Sequence, residues 1–176
     1  MLDKAIFLDR DGVINEVLSS RVKFVNKPED FYLLDGVGEA VKILNEMNYK
    51  VLVVTNQGGI GLGYMKESAL EHIHDKMKID LAKFGAEIDD IAYCPHKPKA
   101  GCRCRKPKPE MIYDLAQKHQ ITLKKSYMVG DREPDIEAGK SAGITTVIVG
   151  KRYKKIEADL SFPNLRMFAN WLQTKG

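Results

Sequence analysis

Near the start of the chain, a short apolar run ends at two carboxylates, and this feature constrains the fold more than any other. Residues 5–8 (AIFL) precede a turn signal at Gly12, a pattern that predicts a buried strand. Asp9 follows the run directly, and Asp11 comes after it with one residue, Arg10, between them. In open α/β sheets, ligands bind beyond the carboxyl ends of the strands, and charges placed there need a partner or a metal ion. A simple strand-ending turn, in which Asp and Gly are common, is the alternative.

Further apolar runs alternate with helical patterns along the chain. We predict strands at residues 50–54, 88–93, 126–129 and 145–149, and helices at residues 36–49, 66–84, 110–118, 136–142 and 165–172. The second run is β-branched and almost wholly apolar, as expected for a central parallel strand. In the helices, Phe168 and Trp171 are expected in the core. His72 and His74 are expected at the surface, because neither has a metal-ligand partner at i+4 spacing.

Polar residues follow the other strands as well. The segment TNQGGIG at residues 55–61 suits a site for an anion lined by backbone groups, although a glycine-rich turn also serves any tight connection. Asp131 ends the run at residues 126–129, and Asp135 follows at the next helix. The loop at residues 13–35 is long enough to cover the carboxylates, with a passive surface excursion as the alternative.

Three cysteines and a histidine lie within eleven residues of each other. Cys94, His96, Cys102 and Cys104 form a Cys3His set, which is a common closed tetrahedral zinc site. Because all four ligands are used, the predicted site is structural. Reduced buried cysteines are the alternative, which the polarity of the loop disfavours. A bound zinc ion would order a loop that otherwise lacks structure.

A proline-stiffened basic segment, RKPKP, follows the last cysteine. Prolines on both sides of Lys108 fix the backbone, so Arg105 and Lys106 are held beside the predicted zinc loop. Two cations held in this way suit a fixed anionic group. A solvated basic turn is the alternative.

Composition sets the broad class of the protein. The 176 residues carry 28 basic and 24 acidic side chains, for a formal net charge of +4. This small, dispersed excess does not favour nucleic acid, although it is compatible with an anionic small substrate. We expect one domain over residues 1–176, no membrane partner, a monomeric state and a cytoplasmic location, since the first strand begins almost at Met1 and leaves no room for a secretory signal.

The ordered motifs carry a resemblance that spans nearly the whole chain. FLDRDGVIN, VVTNQGGIGLG and YMVGDREPDIEAG resemble the haloacid dehalogenase-like phosphohydrolases. CPHKPKAGCRCRKPKPEM is similar to the D-glycero-D-manno-heptose 1,7-bisphosphate phosphatases and the related histidinol-phosphatases. The resemblance implies an α/β three-layer sandwich around a parallel, Rossmann-like sheet, with no large cap domain and a zinc-bound loop insertion at residues 94–109. It also implies a Mg²⁺-dependent phosphomonoesterase.

The resemblance assigns roles to particular residues. Asp9 would attack phosphorus, and Asp11 would act as general acid and then as general base. Mg²⁺ would be held by Asp9, the Asp11 backbone carbonyl and Asp131. Thr55 would bind the phosphoryl oxygens, and Lys106 would compensate charge in the transition state. The implied substrate-binding residues are Asn56, Gln57, Gly58, Arg105 and Arg132, and the implied zinc ligands are Cys94, His96, Cys102 and Cys104.

The substrate is the least constrained part of this interpretation. Lys23-Phe24-Val25 stands where the heptose enzymes have Gly-Tyr-Val, and Leu62 stands where they have Arg. A heptose bisphosphate is favoured, with histidinol phosphate or another phosphosugar as alternatives. A non-enzymatic zinc knuckle that binds nucleic acid is a further alternative. It would need clustered basic or aromatic residues and would not need the carboxylates.

Overall fold

A computed structural model describes residues 2–176, which form one parallel sheet flanked by helices. The strands, in spatial order β3-β2-β1-β4-β5-β6, are β1 Lys4–Leu8, β2 Tyr49–Asn56, β3 Asp90–Cys94, β4 Tyr127–Gly130, β5 Thr145–Ile148 and β6 Leu160–Ser161. The helices are α1 Val37–Glu46, α2 Glu67–Ala82, α3 Glu110–Lys118, α4 Glu133–Ala142 and α5 Leu165–Gln173, with short 3-10 helices at Pro28–Asp30 and Leu123–Lys125. Within this range, no helix is both long and apolar enough to cross a membrane.

The sheet register places the polar strand ends side by side. Leu8 of the central strand pairs with Val53 of β2 and with Val129 of β4. Because all six strands are parallel, their carboxyl ends meet at one edge of the sheet. The residues that follow β1 and β4, Asp9 and Asp131, therefore lie at that edge.

Alternation along the strands builds two cores and hence three layers. Ile6 and Leu8 pack with α1, α2 and α5 in one buried cluster, while Ala5 and Phe7 pack with α3 and α4 in the other. Since both faces of the sheet are covered by helices, the strands are apolar on both faces. This arrangement confirms the predicted three-layer α/β sandwich.

Several element boundaries differ from the prediction. Tyr49 begins β2 and is not the end of the preceding helix, and α4 begins at Glu133, three residues earlier than predicted, with a proline in its first turn. The two-residue strand β6 was not predicted, because so short a run carries no periodicity. The expectation for His74 was wrong. It is only 7% exposed, whereas His72 is exposed as expected.

Candidate active site

A buried lysine lies at the centre of the carboxylates. Lys106 Nζ donates hydrogen bonds to Asp9 Oδ1 at 2.8 Å, to Asp135 Oδ1 at 2.6 Å and to the Val54 carbonyl at 2.8 Å. Burial alone would lower the pKa of Lys106, but the charges of Asp135 and Asp9 outweigh it and raise that pKa. The ammonium is therefore fixed and charged at the end of β1, as an electrostatic role requires.

Three carboxylates converge at this edge of the sheet. Each of Asp9, Asp131 and Asp135 offers an oxygen, and these oxygens lie within 4.8 Å of one another. Burial, with the charge of Asp135 second, raises the pKa of Asp9 well above its ordinary value. The same causes raise the pKa of Asp131 to about 6. Like charges at this separation are costly unless a cation is present.

The three carboxylates differ in how far the protein satisfies them. Asp135 Oδ1 accepts from Lys106, and Asp135 Oδ2 accepts from the backbone N–H groups of Asp131 and Arg132, both at 3.1 Å. Asp131 Oδ1 is buried without a hydrogen-bond partner. A buried oxygen left in this way needs an explanation, and a hard cation that prefers oxygen ligands supplies one. The residues present therefore fit a Mg²⁺ ion beside Asp131.

Close packing on the other side of Asp131 requires a glycine. Gly12 has φ +86°, and a Cβ at this position would overlap the Asp131 carboxylate. The turn after β1 can therefore approach β4 only because residue 12 has no side chain. This brings the DRDGV segment and Asp131 to the same site.

Asp11 is held by four hydrogen bonds. Its Oδ1 accepts from Arg10 Nε at 3.1 Å, Arg10 Nη2 at 2.7 Å and Asn15 Nδ2 at 3.0 Å, and its Oδ2 accepts from Gln57 Nε2 at 3.2 Å. Burial opposes ionisation, but the Arg10 charge and these hydrogen bonds lower the pKa of Asp11. The free protein thus holds Asp11 as a carboxylate. An anionic phosphate nearby would favour its protonation.

Several of the predicted phosphate-binding residues form hydrogen bonds with one another. Gln57 Nε2 also donates to Thr55 Oγ1 at 2.9 Å, and both side chains are buried. The Asn56 amide donates to the Lys106 carbonyl at 3.1 Å and accepts from the Lys106 N–H at 3.0 Å. Asn56 thus ties β2 to the backbone of Lys106, and its side-chain amide is already used in that contact.

The remaining predicted substrate-binding residues lie in two separate places. Arg105 Nη1 donates to the His96 carbonyl at 3.2 Å, and a Cβ at Gly58 would lie against the same two groups. Arg132 is exposed at the N-terminus of α4. The structure therefore brings Gly58 and Arg105 together and places Arg132 separately, next to Asp131.

The cysteines and the histidine form a second cluster. Cys94 Sγ lies 2.7 Å from Cys104 Sγ and 3.6 Å from Cys102 Sγ, and His96 Nδ1 lies 3.2 Å from Cys104 Sγ. All four candidate ligand atoms lie within 4.8 Å of one another, which fits a tetrahedral metal site. The polarity argument was wrong for one residue, because Cys94 ends β3 and is fully buried in the core.

Arg10 and His74 are two site residues that sequence reasoning missed. Arg10 is completely buried, and its Nη1 lies 3.2 Å from Nε2 of His74 on α2. Burial, followed by the Arg10 charge, lowers the pKa of His74 to about 3, so the ring is neutral. The available signal was an arginine at the end of a strand that was predicted to be buried, because a charge placed there needs nearby partners.

The low pKa of His74 predicts a pH-dependent stability. An unfolded histidine has a pKa near about 6.5, so the unfolded chain binds a proton that the folded chain rejects. This contribution is fully present above about pH 6.5 and is lost as pH falls towards the folded value of about 3. We expect the contribution of His74 to lower the free energy of unfolding by about 2 kcal/mol as the pH is decreased from about 7 to about 5. Urea titrations at several pH values should show that the free energy of unfolding depends less on pH in His74→Gln than in the parent protein. His72→Gln should show the same pH dependence as the parent protein.

A groove of about 500 Å³ lies elsewhere, lined in part by Phe31, Tyr32, Lys76 and Phe84. None of the predicted catalytic residues lines it. The chemistry therefore resides at the strand ends and not in this groove.

Comparison with known proteins identifies the family. A model of HAD-hydrolase-like proteins matches residues 103–164. The chain is 36% identical over 174 residues to a D-glycero-beta-D-manno-heptose-1,7-bisphosphate 7-phosphatase of Helicobacter pylori, covering 97% of this chain and 98% of that one. It is 40% identical over 177 residues to the corresponding alpha-heptose enzyme of Campylobacter jejuni, covering 99% of each chain.

A solved structure supports the same assignment. The D,D-heptose 1,7-bisphosphate phosphatase of B. bronchiseptica, complexed with magnesium and phosphate, superposes with a TM-score of 0.90 at 35% identity. The match covers 98% of this chain and 99% of that one. Relatives at this identity and coverage share a fold and a family. The chain therefore belongs to the heptose-1,7-bisphosphate 7-phosphatases of the haloacid dehalogenase-like hydrolases.

Proposed function

We propose that the protein is a Mg²⁺-dependent phosphomonoesterase that removes the C7 phosphate of D-glycero-D-manno-heptose 1,7-bisphosphate. One observation carries the proposal. The Asp9 carboxylate accepts a hydrogen bond from the buried, charged Lys106, and it lies within 4.8 Å of a carboxylate oxygen of Asp131, whose buried Oδ1 has no hydrogen-bond partner. This arrangement suits an aspartate that attacks an anionic phosphorus centre, because a nearby cation must offset the repulsion between them.

In the first step, an Asp9 carboxylate oxygen bonds to phosphorus. The phosphorus–oxygen bond to the sugar breaks, and its electron pair goes to the leaving oxygen. Asp11, which takes up a proton when the anionic phosphate binds beside it, gives that proton to the leaving oxygen, so the sugar leaves as an alcohol and Asp9 carries the phosphoryl group. Lys106 stays hydrogen-bonded to Asp9 and offsets charge as it spreads over the phosphoryl oxygens.

In the second step, water replaces Asp9 on phosphorus. Asp11, now a carboxylate, takes a proton from the water, and the electron pair of the broken bond returns to Asp9. Inorganic phosphate leaves, and both aspartates regain their starting states. The hydroxyl of Thr55 and the backbone N–H of Asn56 hold the phosphoryl oxygens through both steps.

The oxygen-rich donor set suits Mg²⁺. Asp9, Asp131 and the Asp11 backbone carbonyl would hold the ion, while Asp135 is already engaged by Lys106 and two backbone N–H groups. Bound Mg²⁺ supplies positive charge that lets two anions approach each other.

Zinc has a positioning role in this proposal. The four candidate ligands end at Cys104, two residues before Lys106, and Lys108 Nζ donates to the Cys102 carbonyl. A metal ion that closes this loop would therefore fix the backbone from which Lys106 reaches into the site. The contact between Arg105 and the His96 carbonyl lies in the same loop, so the ion would position both cations.

Loss of a zinc ligand is expected to act through this loop. We expect Cys102→Ser to lower the zinc content of the purified protein and to reduce kcat by about 10²-fold, because a shift of about 1 Å is costly at a reacting centre. Metal analysis and phosphate release measure the two effects. Ser141→Ala, far from the loop in sequence, is the control. Full turnover in a variant shown to lack zinc would contradict this role.

Substrate competition tests the proposed function. Phosphate release should be measured with Mg²⁺ for both anomers of the heptose bisphosphate, for histidinol phosphate and for glycerol 2-phosphate. We expect a heptose bisphosphate to have the highest kcat/KM. The relatives include enzymes named for the alpha anomer and for the beta anomer, so this assay is needed to determine which anomer the protein prefers. Preference for histidinol phosphate would overturn the proposed substrate.

We also propose that residues 1–176 act as one domain, as a cytoplasmic monomer whose partner is a phosphorylated small molecule and not nucleic acid. The shared sheet and the interleaved site residues support a single unit. Size-exclusion chromatography with light scattering tests the monomer, and a stable dimer at working concentration would refute it.

A further inference from the structure

The buried contact between Arg10 and His74 has no part in the steps described so far. A guanidinium only donates hydrogen bonds, so His74 Nε2 must be the acceptor and the ring proton must lie on Nδ1. Both side chains are buried, at 0% and 7% exposure. A buried charge is costly unless it is paired and hydrogen-bonded, and His74 supplies the acceptor for Nη1 of the Arg10 guanidinium.

The orientation of Arg10 decides how Asp11 is held. Its Nε and Nη2 both donate to the same oxygen, Asp11 Oδ1, while Nη1 points to His74. His74 therefore holds Nη1, the third nitrogen of the guanidinium, in place. We propose that His74 is a positioning residue that acts through Arg10 to aim Asp11 at the reacting oxygen. This inference rests on the proposed function.

The two oxygens of Asp11 become unequal as a result. Oδ1 accepts from three N–H groups, two of them on Arg10 and one on Asn15, whereas Oδ2 accepts only from Gln57 among the described residues. Oδ2 is therefore the oxygen that carries the proton. It gives this proton to the leaving oxygen in the first step and takes one from water in the second. Without the His74 acceptor, the guanidinium can turn, and the carboxylate turns with it.

Leaving groups that differ in their need for a proton test this role. p-Nitrophenolate leaves without protonation, whereas the alkoxide of glycerol 2-phosphate needs a proton from Asp11. We expect His74→Leu to slow the first turnover of glycerol 2-phosphate by about 10- to 100-fold with little change in KM. The first-turnover release of p-nitrophenol should change less than about threefold. Slower hydrolysis of the phosphorylated enzyme should then produce a burst.

Two conservative variants separate positioning from folding. In His74→Gln, the terminal amide oxygen can take the place of Nε2 and accept from Arg10, so we expect most of the lost rate to return. In His74→Asn, the shorter amide reaches only the place of Nδ1, so we expect a loss like that of His74→Leu. His72→Leu, on the exposed face of the same helix, should match the parent protein on both esters.

Equal losses on both esters would overturn the inference, as would equal rates for the Gln and Asn variants. If His74→Leu does not fold, the comparison of His74→Gln with His74→Asn is sufficient to test the positioning role. The generic esters keep this result independent of the natural substrate. A parent protein that hydrolyses them but not the heptose bisphosphate would reject the proposed substrate and leave the role of His74 testable.

Discussion

Replacing Asp9 with Asn is expected to lower the steady-state rate of phosphate release by about 10⁴-fold or more, because an amide cannot form the aspartyl-phosphate bond. The side chain keeps its shape and its acceptor oxygen, so the hydrogen bond from Lys106 at 2.8 Å can persist. Phosphate release from p-nitrophenyl phosphate and from the heptose bisphosphate should fall together. A residual rate within about 10-fold of the parent protein would contradict the nucleophilic role.

The same variant should be at least as stable as the parent protein in buffer without Mg²⁺. The pKa of Asp9 is raised by burial and by Asp135, which means that the fold favours the neutral form. A group of this kind costs stability as pH rises through its folded pKa, and Asn removes that cost at neutral pH. Thermal unfolding measures the effect. Asp75→Asn, at an exposed position on α2, is the control and should show no shift.

Replacing Lys106 with Met is expected to damage both activity and stability. The variant removes the one ammonium that donates to Asp9, Asp135 and the Val54 carbonyl, and it leaves buried carboxylates unpaired. Breaking a buried ion pair from one side costs about 3–5 kcal/mol. Loss of a group that stabilises transition-state charge costs about 10²–10³-fold in kcat. Urea unfolding and phosphate release measure the two effects.

Two further measurements identify the cause of this damage. The destabilisation should shrink between about pH 8 and about pH 6, because protonation neutralises the carboxylates. Mg²⁺ should raise the unfolding temperature of Lys106→Met by more than that of the parent protein, since the cation replaces part of the lost charge. Lys97→Met, an exposed lysine in the loop, is the control. A pH-independent loss of stability would show that lost packing is responsible.

The convergence of Asp9 and Asp131 could be predicted from the sequence, because each of them lies at the end of a strand. Asp9 follows one apolar run directly, and Asp131 follows another after Gly130. Parallel strands bring their carboxyl ends together, so the hydrophobic pattern and the sheet topology account for the proximity of the two residues. The exact start of α4 was less accessible, because Glu133 and Pro134 precede the apolar residues that reveal a helix. Strand β6 exists only by pairing with β5, and no local pattern records such pairing.

The partners of Arg10 could not be predicted for a related reason. His74 lies 64 residues away on α2, and the contact exists only because α2 packs over the loop after β1. The helical pattern gave His74 no metal partner, and a surface position was the natural interpretation. Asn56 is a similar case. An amide at a strand end suits a ligand, but only the fold shows that this amide forms two hydrogen bonds with the backbone of Lys106.

The excess of carboxylates around Lys106 implies an order of events. Asp9, Asp131 and Asp135 outnumber the single ammonium, and their crowding raises the pKa of Asp9 and of Asp131, so full ionisation of the metal-free site is unfavourable. A divalent cation offsets the charge of the ionised carboxylates, including the Asp9 anion that must attack phosphorus, whereas a phosphate ester entering without it adds further negative charge. We therefore expect metal to enter before substrate, and we expect the apparent affinity for substrate to weaken as the concentration of free Mg²⁺ is lowered. The reaction rate would then depend on the free concentration of an ion that the substrate itself also binds in solution.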